Sequence, residues 1–488
     1  MHHHRRRHDR DPAITTSRWS LLVLLAVAQL MVILDISAVN VALPDMASDL
    51  SIARADIGWA ITSYSLIFGS LLLLGGRAAD LLGRRRVFLT GLSVFTVASL
   101  ASAVATGATT LFAARAGQGL GAAMLSPAAL SIIMTAFSEG RERTRALGVW
   151  GAVGGAGAAI GMLLGGTLTE LVDWRAIFFI NLPVGLVLAI GALRIVPADA
   201  GAPRWRGLDL RGATLATASF GALVYAISQA SGAGWTSTQT LGIGAAGLAG
   251  LTAFAALELR TAQPLLRVQR LADRAVGGGF LMMLTASAVL FGSFLLTSLY
   301  MQNVLGTGPM ETGLAFLPLA VATAAGAHIG SNVIRHAGVR VPLAAAFAVT
   351  AGGLLLLSGV DAHGSYLGDL LPGMLIAGLG LGVALVGVAV SVLTGAADDE
   401  TGMLSGLNTT GHEIGGSLGI AVLVTIATAA TGAAGAPVST AAFANGISDA
   451  YLAAGVIAGA ASLLALLILP SARSFLPRLR LAPSMPIH

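Results

Sequence analysis

The sequence of 488 residues contains no cysteine and no lysine, and only 10% of its residues are charged. The absence of cysteine excludes disulfides, thiolate metal centres, iron–sulfur clusters and thiol catalysis. Soluble domains carry roughly 25% charged residues, so the low charge excludes a soluble enzyme. Proline is also scarce, at 16 residues, which argues against a disordered low-complexity chain.

Apolar residues make up 55% of the sequence, and they fall into fourteen windows of membrane-spanning length. A helix needs about 20 apolar residues to cross a bilayer. The windows lie near 19–43, 56–76, 87–106, 110–137, 146–168, 175–196, 208–230, 241–258, 277–302, 310–330, 342–360, 368–394, 403–427 and 447–470. We therefore predict an all-α polytopic protein of the cytoplasmic membrane. The polar groups in the spans are scattered rather than clustered, which argues against a membrane enzyme.

All 28 basic residues are arginine. With the amino terminus inside and sides alternating along the chain, 25 of them fall in inner segments, as short cytoplasmic loops require. The inner loop 396–401 differs, because it has no arginine and carries Asp398, Asp399 and Glu400. The pattern predicts that both termini are cytoplasmic. Because the arginines are spread over many segments, it also excludes nucleic-acid binding, which needs a clustered basic face.

Two matches between distant segments indicate an internal duplication, with coincidence of small residues in a chain of 63 glycines as the alternative. Gly117–Ala123 matches Gly378–Ala384 at an offset of 261 residues, which places Ile376 opposite Arg115. The loop residues Gly83 and Arg85 match Gly338 and Arg340 at an offset of 255. Repeats of this kind are typical of secondary transporters. The predicted domains are a disordered basic cytoplasmic tail 1–18, a six-helix bundle 19–196, two inserted spans with cytoplasmic linkers 197–276, a second six-helix bundle 277–470, and a cytoplasmic tail 471–488.

The loop from Gly75 to Arg86 combines small residues, one acid and three consecutive arginines. The carboxylate of this acid, Asp80, can accept hydrogen bonds from arginine or from helix amides across the interface between the halves. Such bonds would form a latch that must break when the two halves move relative to each other. The alternative is a simple positive-inside anchor. The predicted latch residues are Gly76, Asp80, Gly83, Arg84 and Arg85.

Asp35 lies within the first span, about 24 Å from Trp19 at 1.5 Å per residue. An acid at this depth must face a polar cavity or carry a proton, unless it is a structural acid paired to a neighbouring helix. Arg115 is the basic residue placed inside a span. It needs a partner or water, and a purely structural ion pair is the alternative to a functional role.

Glycines recur every fourth residue in the fifth span, at Gly157, Gly161 and Gly165. They lie on one helix face, and we predict that this face lets a neighbouring helix approach closely.

Several strings together resemble the major facilitator superfamily, in its fourteen-span drug:proton antiporter branch. The resemblance rests on the loop Gly75–Arg86, Leu34–Pro44, Leu111–Ala123, Gly151–Leu168, Asp173–Gly185 and Tyr300–Pro318. The fifth-span motif departs from the family at Met162, where proline is usual. The resemblance implies two bundles that alternately expose a central cavity, with protons moving inward as substrate moves outward. It also implies that Arg115 helps proton coupling, with Gln118 nearby.

The thirteenth span offers a titratable pair, His412 and Glu413, where many relatives have Arg-Gln. Glu413 lies about 15 Å into the span. It is therefore a candidate second proton site, or else a packing group in a wet vestibule. The proton-coupling candidates are Asp35, Arg115 and Glu413, and the substrate-cavity candidates are Gln29, Asn40, Gln118 and His412.

The resemblance implies that the protein is an exporter. The expected cargo is amphipathic or cationic organic compounds, because apolar cavities bind such cargo through shape and apolar contact. The expected partners are a small-molecule substrate, protons and the lipid bilayer, around a monomer that needs no cofactor or metal beyond the proton gradient. An uptake carrier of the same superfamily and a receptor or scaffold that transports nothing are the alternatives.

Overall fold

The computed structural model describes residues 12–53, 56–137, 141–199, 208–262, 264–394, 400–429 and 439–481. Within these ranges the chain is all-helical and has no strand. Thirteen helices of the described chain are long and apolar enough to cross a membrane. One further helix, Arg141–Leu171, has 31 residues. The prediction of an all-α polytopic fold is confirmed.

The fourteen long helices follow the predicted windows. They are α1 Pro12–Asp49, α2 Trp59–Leu82, α3 Arg84–Ala103, α4 Ala108–Ala136, α5 Arg141–Leu171, α6 Ala176–Ile195, α7 Leu210–Ala233, α8 Thr238–Glu258, α9 Arg274–Asn303, α10 Pro309–Ala337, α11 Arg340–Leu357, α12 Tyr366–Leu393, α13 Thr401–Ala429 and α14 Thr440–Ile468. A further helix, α15, covers Ala472–Leu481, within the segment predicted as a tail. The first helix begins at Pro12, before the predicted span.

An even number of crossings separates the two ends of the described chain, so both ends lie on one face of the bundle, here called the termini face. The α2–α3 turn at Gly83 also lies there. The α1–α2 and α5–α6 connections lie on the other side, the opposite face.

The helix pairings of the first six spans recur in the last six. In the first half α1 packs on α5, α4 packs on both α2 and α3, and α3 packs on α6. In the second half α9 packs on α13, α12 packs on both α10 and α11, and α11 packs on α14. The two helices between the halves, α7 and α8, form a hairpin, and α7 packs against α2 and α13. The architecture is therefore two similar six-helix bundles joined by an inserted pair.

The predicted glycine face of α5 packs on α1. A side-chain carbon at Gly165 would lie 2.5 Å from the Ala38 Cα, closer than non-bonded carbons pack. The same arrangement joins α13 to α9, where a carbon at Gly419 would lie 2.3 Å from the Ala288 Cα. The α5 glycines Gly157, Gly161 and Gly165 thus correspond to Gly411, Gly415 and Gly419. A carbon added at the first glycine of each set would meet side chains of the facing helix, and one added at the second or third would meet its backbone. Small residues let the paired helices approach to backbone contact.

The contacts of α4 and α12 correct the register of the glycine match. Gly121 packs on α3 and Gly380 packs on α11, which are equivalent helices in the two halves. The structural offset is therefore 259 residues, and the offset of 261 is wrong. The counterpart of Arg115 is Met374, which is buried, rather than Ile376, which is exposed.

The residues matched at offset 255 make equivalent contacts in both halves. Gly83 and Gly338 both have positive φ, at 107° and 71°, a conformation that glycine adopts without strain. Arg85 Nη2 donates to the carbonyl of Leu193 near the end of α6 at 2.7 Å. Arg340 Nε donates to the carbonyl of Leu469 at the end of α14 at 2.7 Å.

The two halves meet at three seams, formed by α1 with α9, α2 with α13, and α5 with α10. Near the opposite face, Gln302 Nε2 donates to the Val41 carbonyl at 2.8 Å. The Met310 backbone N–H donates to Glu170 Oε2 at 3.0 Å. These hydrogen bonds hold the opposite-face ends of the halves together.

Candidate transport site

Asp35 and Arg115 meet in the interior of the first half. Asp35 comes from α1 and Arg115 from α4, and the two side chains form an ion pair through Arg115 Nη1 and Asp35 Oδ2. Asp35 is 2% exposed and Arg115 is fully buried. Residues that the sequence placed in separate spans are therefore one site.

The guanidinium of Arg115 has further partners on α2 and on its own helix, α4. Its Nε donates to the Ala60 carbonyl of α2 at 2.9 Å, and its Nη1 donates to Gln118 Oε1 at 2.9 Å. Its plane lies over the Tyr64 ring, with the Cζ atom 4.6 Å from the ring centroid. Its Nη2 has no hydrogen-bond partner among the described residues. One donor of a buried cation is thus left free.

Neutral polar groups surround the other carboxylate oxygen of Asp35. Gln118 Nε2 donates to Asp35 Oδ1 at 2.8 Å, and Asn181 Nδ2 of α6 donates to the same oxygen at 3.0 Å. Gln118 Nε2 and Asn181 Nδ2 also reach Ser99 Oγ of α3, at 2.8 Å and 3.3 Å. Asn181 and Ser99 were missed by the sequence reasoning, because a single neutral polar residue in a span gives no distinct signal.

This network gathers side chains or backbone from five helices around one carboxylate. Taking two charges out of water costs several kcal/mol per ion, and the cost is offset only when the geometry supplies further hydrogen bonds. Protonation of Asp35 would cancel its charge and weaken its bond to Arg115, because the Coulomb attraction between the two opposite charges is lost. The arrangement can therefore link proton binding to the packing of α1 against α4.

The substrate-cavity candidates do not gather at one point. Gln29 Oε1 accepts from Ser126 at 2.8 Å, and its side chain is half-buried. Asn40 lies about 16 Å further along α1, where its backbone carbonyl accepts from Ser298 of α9 at 3.1 Å. Gln118 belongs to the Asp35 network. These three therefore lie at different depths of the first half.

His412 and Glu413 point to different neighbours on α13. His412 Nδ1 lies 2.6 Å from Ser287 Oγ of α9, and its ring lies edge-on to Phe291. Glu413 is buried at the α2–α13 seam, where its Cβ would be 2.6 Å from a carbon at Gly69. Its Oε2 has no hydrogen-bond partner within the described ranges. Glu413 is thus a second buried carboxyl, directly between the halves.

Comparisons with known proteins place this geometry in a family. Residues 25–420 match the sequence profile described as Major Facilitator Superfamily. The chain belongs to the major facilitator superfamily. It is 41% identical to the puromycin resistance protein of Streptomyces alboniger, over 85% of this chain and 82% of that protein. It is 38% identical to the cephamycin export protein of Amycolatopsis lactamdurans, over 95% of each.

A solved structure supports the fold of this major facilitator protein. A bacterial homolog of the human lysosomal transporter Spinster superposes with a TM-score of 0.65 at 15% identity, covering 96% of this chain and 99% of that one. Its family and its resistance and export relatives identify the protein as a multi-pass membrane transporter rather than an enzyme.

The segment Gly75–Arg86, described from the sequence as a loop, is helical except at Gly83. Asp80 in the last turn of α2 lies 3.8 Å from Arg84 at the start of α3, and its side chain is 57% exposed. Another carboxylate, Asp199, binds the start of α3, accepting from the backbone N–H groups of Arg85 and Arg86 at 3.0 Å each. A latch that joins Asp80 to the other half stays a prediction about another conformation.

The arginine-free inner loop obtains its basic partners from a distant segment. Glu400, just before α13, forms ion pairs with Arg267 and Arg270, which flank or lie in the short 3₁₀ helix Val268–Ala272. The neighbouring acids Asp398 and Asp399 lie outside the described residues. The linker before α9 thereby binds the start of α13.

Proposed function

We propose that this transporter exports small organic compounds of antibiotic type from the cell in exchange for protons. The observation that carries the proposal is the buried Asp35–Arg115 pair with its surrounding network, in a chain similar to resistance and export proteins. The relative from Streptomyces glaucescens, 32% identical over 83% of this chain, is a tetracenomycin C resistance and export protein. A shared role in drug export is the simplest account of these likenesses.

In this mechanism a proton replaces Arg115 as the partner of Asp35. When ionised, it holds Arg115 and receives hydrogen bonds from Gln118 and Asn181. When a proton binds, the ion pair weakens and Arg115 can turn to other acceptors. Because Asp35, Gln118 and Asn181 lie on α1, α4 and α6, this change alters the contacts among the helices that line the first half.

The termini face is assigned to the cytoplasm. Arg77, Arg84, Arg85 and Arg86 lie at or near the α2–α3 turn on this face, and cytoplasmic loops carry the arginine excess. The opposite face, where Gln302 and Glu170 join the halves, is then external. On this assignment, the hydrogen bonds that join the halves at the opposite face would close the external side.

Transport in everted membrane vesicles tests the proposal. Vesicles that contain the protein and have an acidic interior should accumulate puromycin or lincomycin, because cargo leaves the cytoplasmic side as protons return to it. Asp35→Asn should abolish this accumulation with the protein still inserted, and Glu311→Gln, which removes an exposed acid of α10, should leave it intact.

Three outcomes would overturn parts of the proposal. Full pH-driven accumulation by Asp35→Asn would remove Asp35 from the coupling. If cargo instead leaves these vesicles together with protons, the protein is an uptake carrier. If cells that produce the protein are as sensitive to a panel of antibiotics as cells that lack it, and vesicles show no flux, the protein does not transport these compounds.

A further inference from the structure

A pair of acids outside the Asp35 network lies at the termini-face end of the α7–α8 hairpin. Asp209 precedes α7, and its Oδ1 accepts from the backbone N–H of Gly212 at 2.8 Å. Glu258 is the last residue of α8 and is 3% exposed. Its Oε2 accepts from the backbone N–H of Leu266 at 3.1 Å. One oxygen of each acid is thus satisfied by backbone.

The remaining oxygens of the two acids face the same small space. Asp209 Oδ2 and Glu258 Oε1 are both buried, and neither has a hydrogen-bond donor among the described residues. A side-chain carbon at Gly212 would lie 2.6 Å from the first oxygen and 2.5 Å from the second. Glycine therefore leaves room for the two oxygens to approach each other over the Gly212 backbone.

Two ionised carboxylates cannot share such a place without strong repulsion, whereas one bound proton removes one charge and supplies the missing donor. Among the described residues, the nearby cations do not replace it. Arg211 and Arg260 are exposed, and Arg267 binds Glu400. We propose that Asp209 Oδ2 and Glu258 Oε1 hold one proton between them, as a proton-binding site in the inserted hairpin that is separate from Asp35.

The bound proton joins the start of α7 to the end of α8, and Glu258 is also bound to the turn at Leu266 through its other oxygen. Since this turn leads to the linker that binds Glu400 and then to α9, the pair connects the hairpin to the second half. Removing the proton leaves two facing anions, which push the end of α8 away from the start of α7.

Infrared difference spectroscopy of the full-length protein in lipid vesicles tests the site. A protonated carboxyl has a carbonyl band that a carboxylate lacks. At neutral pH, Glu258→Gln and Asp209→Asn should each remove one such band, in the wild-type background and equally in Asp35→Asn. The control Glu311→Gln should remove none. If neither hairpin variant removes a band, the shared proton does not exist.

Thermal unfolding against pH gives an independent measurement. The melting temperature of the wild type should fall as rising pH removes the proton, and Glu258→Gln should keep the stability while flattening this dependence, because its amide donates to Asp209 at every pH. Gly212→Ala should separate the two oxygens and abolish the band. A pH dependence equal in wild type and Glu258→Gln contradicts the proposal, and neither result depends on whether the protein transports a drug.

Discussion

In the first half, α4 places Arg115 against Asp35, whereas the equivalent position of α12 holds the buried Met374. Counting from the contacts of Gly165 with Ala38 and of Gly419 with Ala288, the counterpart of Asp35 on α9 is Thr285. The helix pairings of the two halves are the same, but the second half has Met374 and Thr285, which carry no charge, where the first has its ion pair.

The second half has its own polar groups at different places. His412 binds Ser287 within the half, and Glu413 lies at the seam with α2. Glycine packing and loop geometry therefore define the scaffold that the two halves share. The Asp35–Arg115 ion pair is present in one half only, and the helix packing is the same with or without it. A buried charge requires a set of partners on several helices, so duplicating a scaffold does not duplicate its site.

Making the first half resemble the second should have the largest effect. Arg115→Met leaves Asp35 as an unpaired buried acid, and breaking a buried pair costs about 3–5 kcal/mol. We expect lower thermal stability of the purified protein and loss of pH-driven transport. The double variant Asp35→Asn with Arg115→Met should regain most of the stability without regaining transport. A stable single variant, or a double variant that transports, would show that the charge difference between the halves is unimportant.

Filling equivalent glycines should affect both halves alike and more moderately. Gly165→Ala and Gly419→Ala each introduce a carbon within 2.5 Å of a facing backbone carbon, and overpacking of this kind costs about 1–3 kcal/mol. Thermal unfolding should show similar losses. Gly459→Ala is the control, since nothing lies within 4 Å of the added carbon and alanine favours a helix by about 1 kcal/mol. Unequal losses at the two glycines would break the equivalence of α5 and α13.

The smallest change in stability is expected at the loop acid of the first half. Asp80→Asn should alter stability by less than about 0.5 kcal/mol, because exposed ion pairs contribute little, while turnover slows and equilibrium binding of puromycin persists. Asp199→Asn is the contrast, since it weakens a carboxylate bound to the first N–H groups of α3 and should cost about 1 kcal/mol. Collapse of binding in Asp80→Asn would contradict the latch.

The number and order of the helices could be predicted from the sequence, because a bilayer demands apolar stretches of a known length. Asp35 and Arg115 could be identified one by one, because charges in a span are rare. Their contact could not, since it depends on how α1 packs on α4. Asn181 and Ser99 complete the same site without any charge to mark them.

The register of the duplication could not be read from the glycines themselves. Gly117, Gly119 and Gly121 repeat at every second position, so the pattern also matches itself after a shift of two residues. Only the neighbour of each glycine distinguishes the two alignments, and that information lies in the packing of α4 and α12. The role of Asp199 was equally hidden, because its partners are backbone groups more than a hundred residues away.

The inserted hairpin makes the two flanks of the transporter unequal toward the lipid. Tyr225 of α7 lies beside Trp59 of α2, and Thr425 of α13 donates to the Ile227 carbonyl of α7 at 3.2 Å, so α7 covers the α2–α13 flank. Within the described chain, the α5–α10 flank has no such cover. The α5–α10 seam is therefore closed by its own two helices alone, where Gly313 lies against the Met162 backbone, whereas the α2–α13 seam has a third helix laid over it.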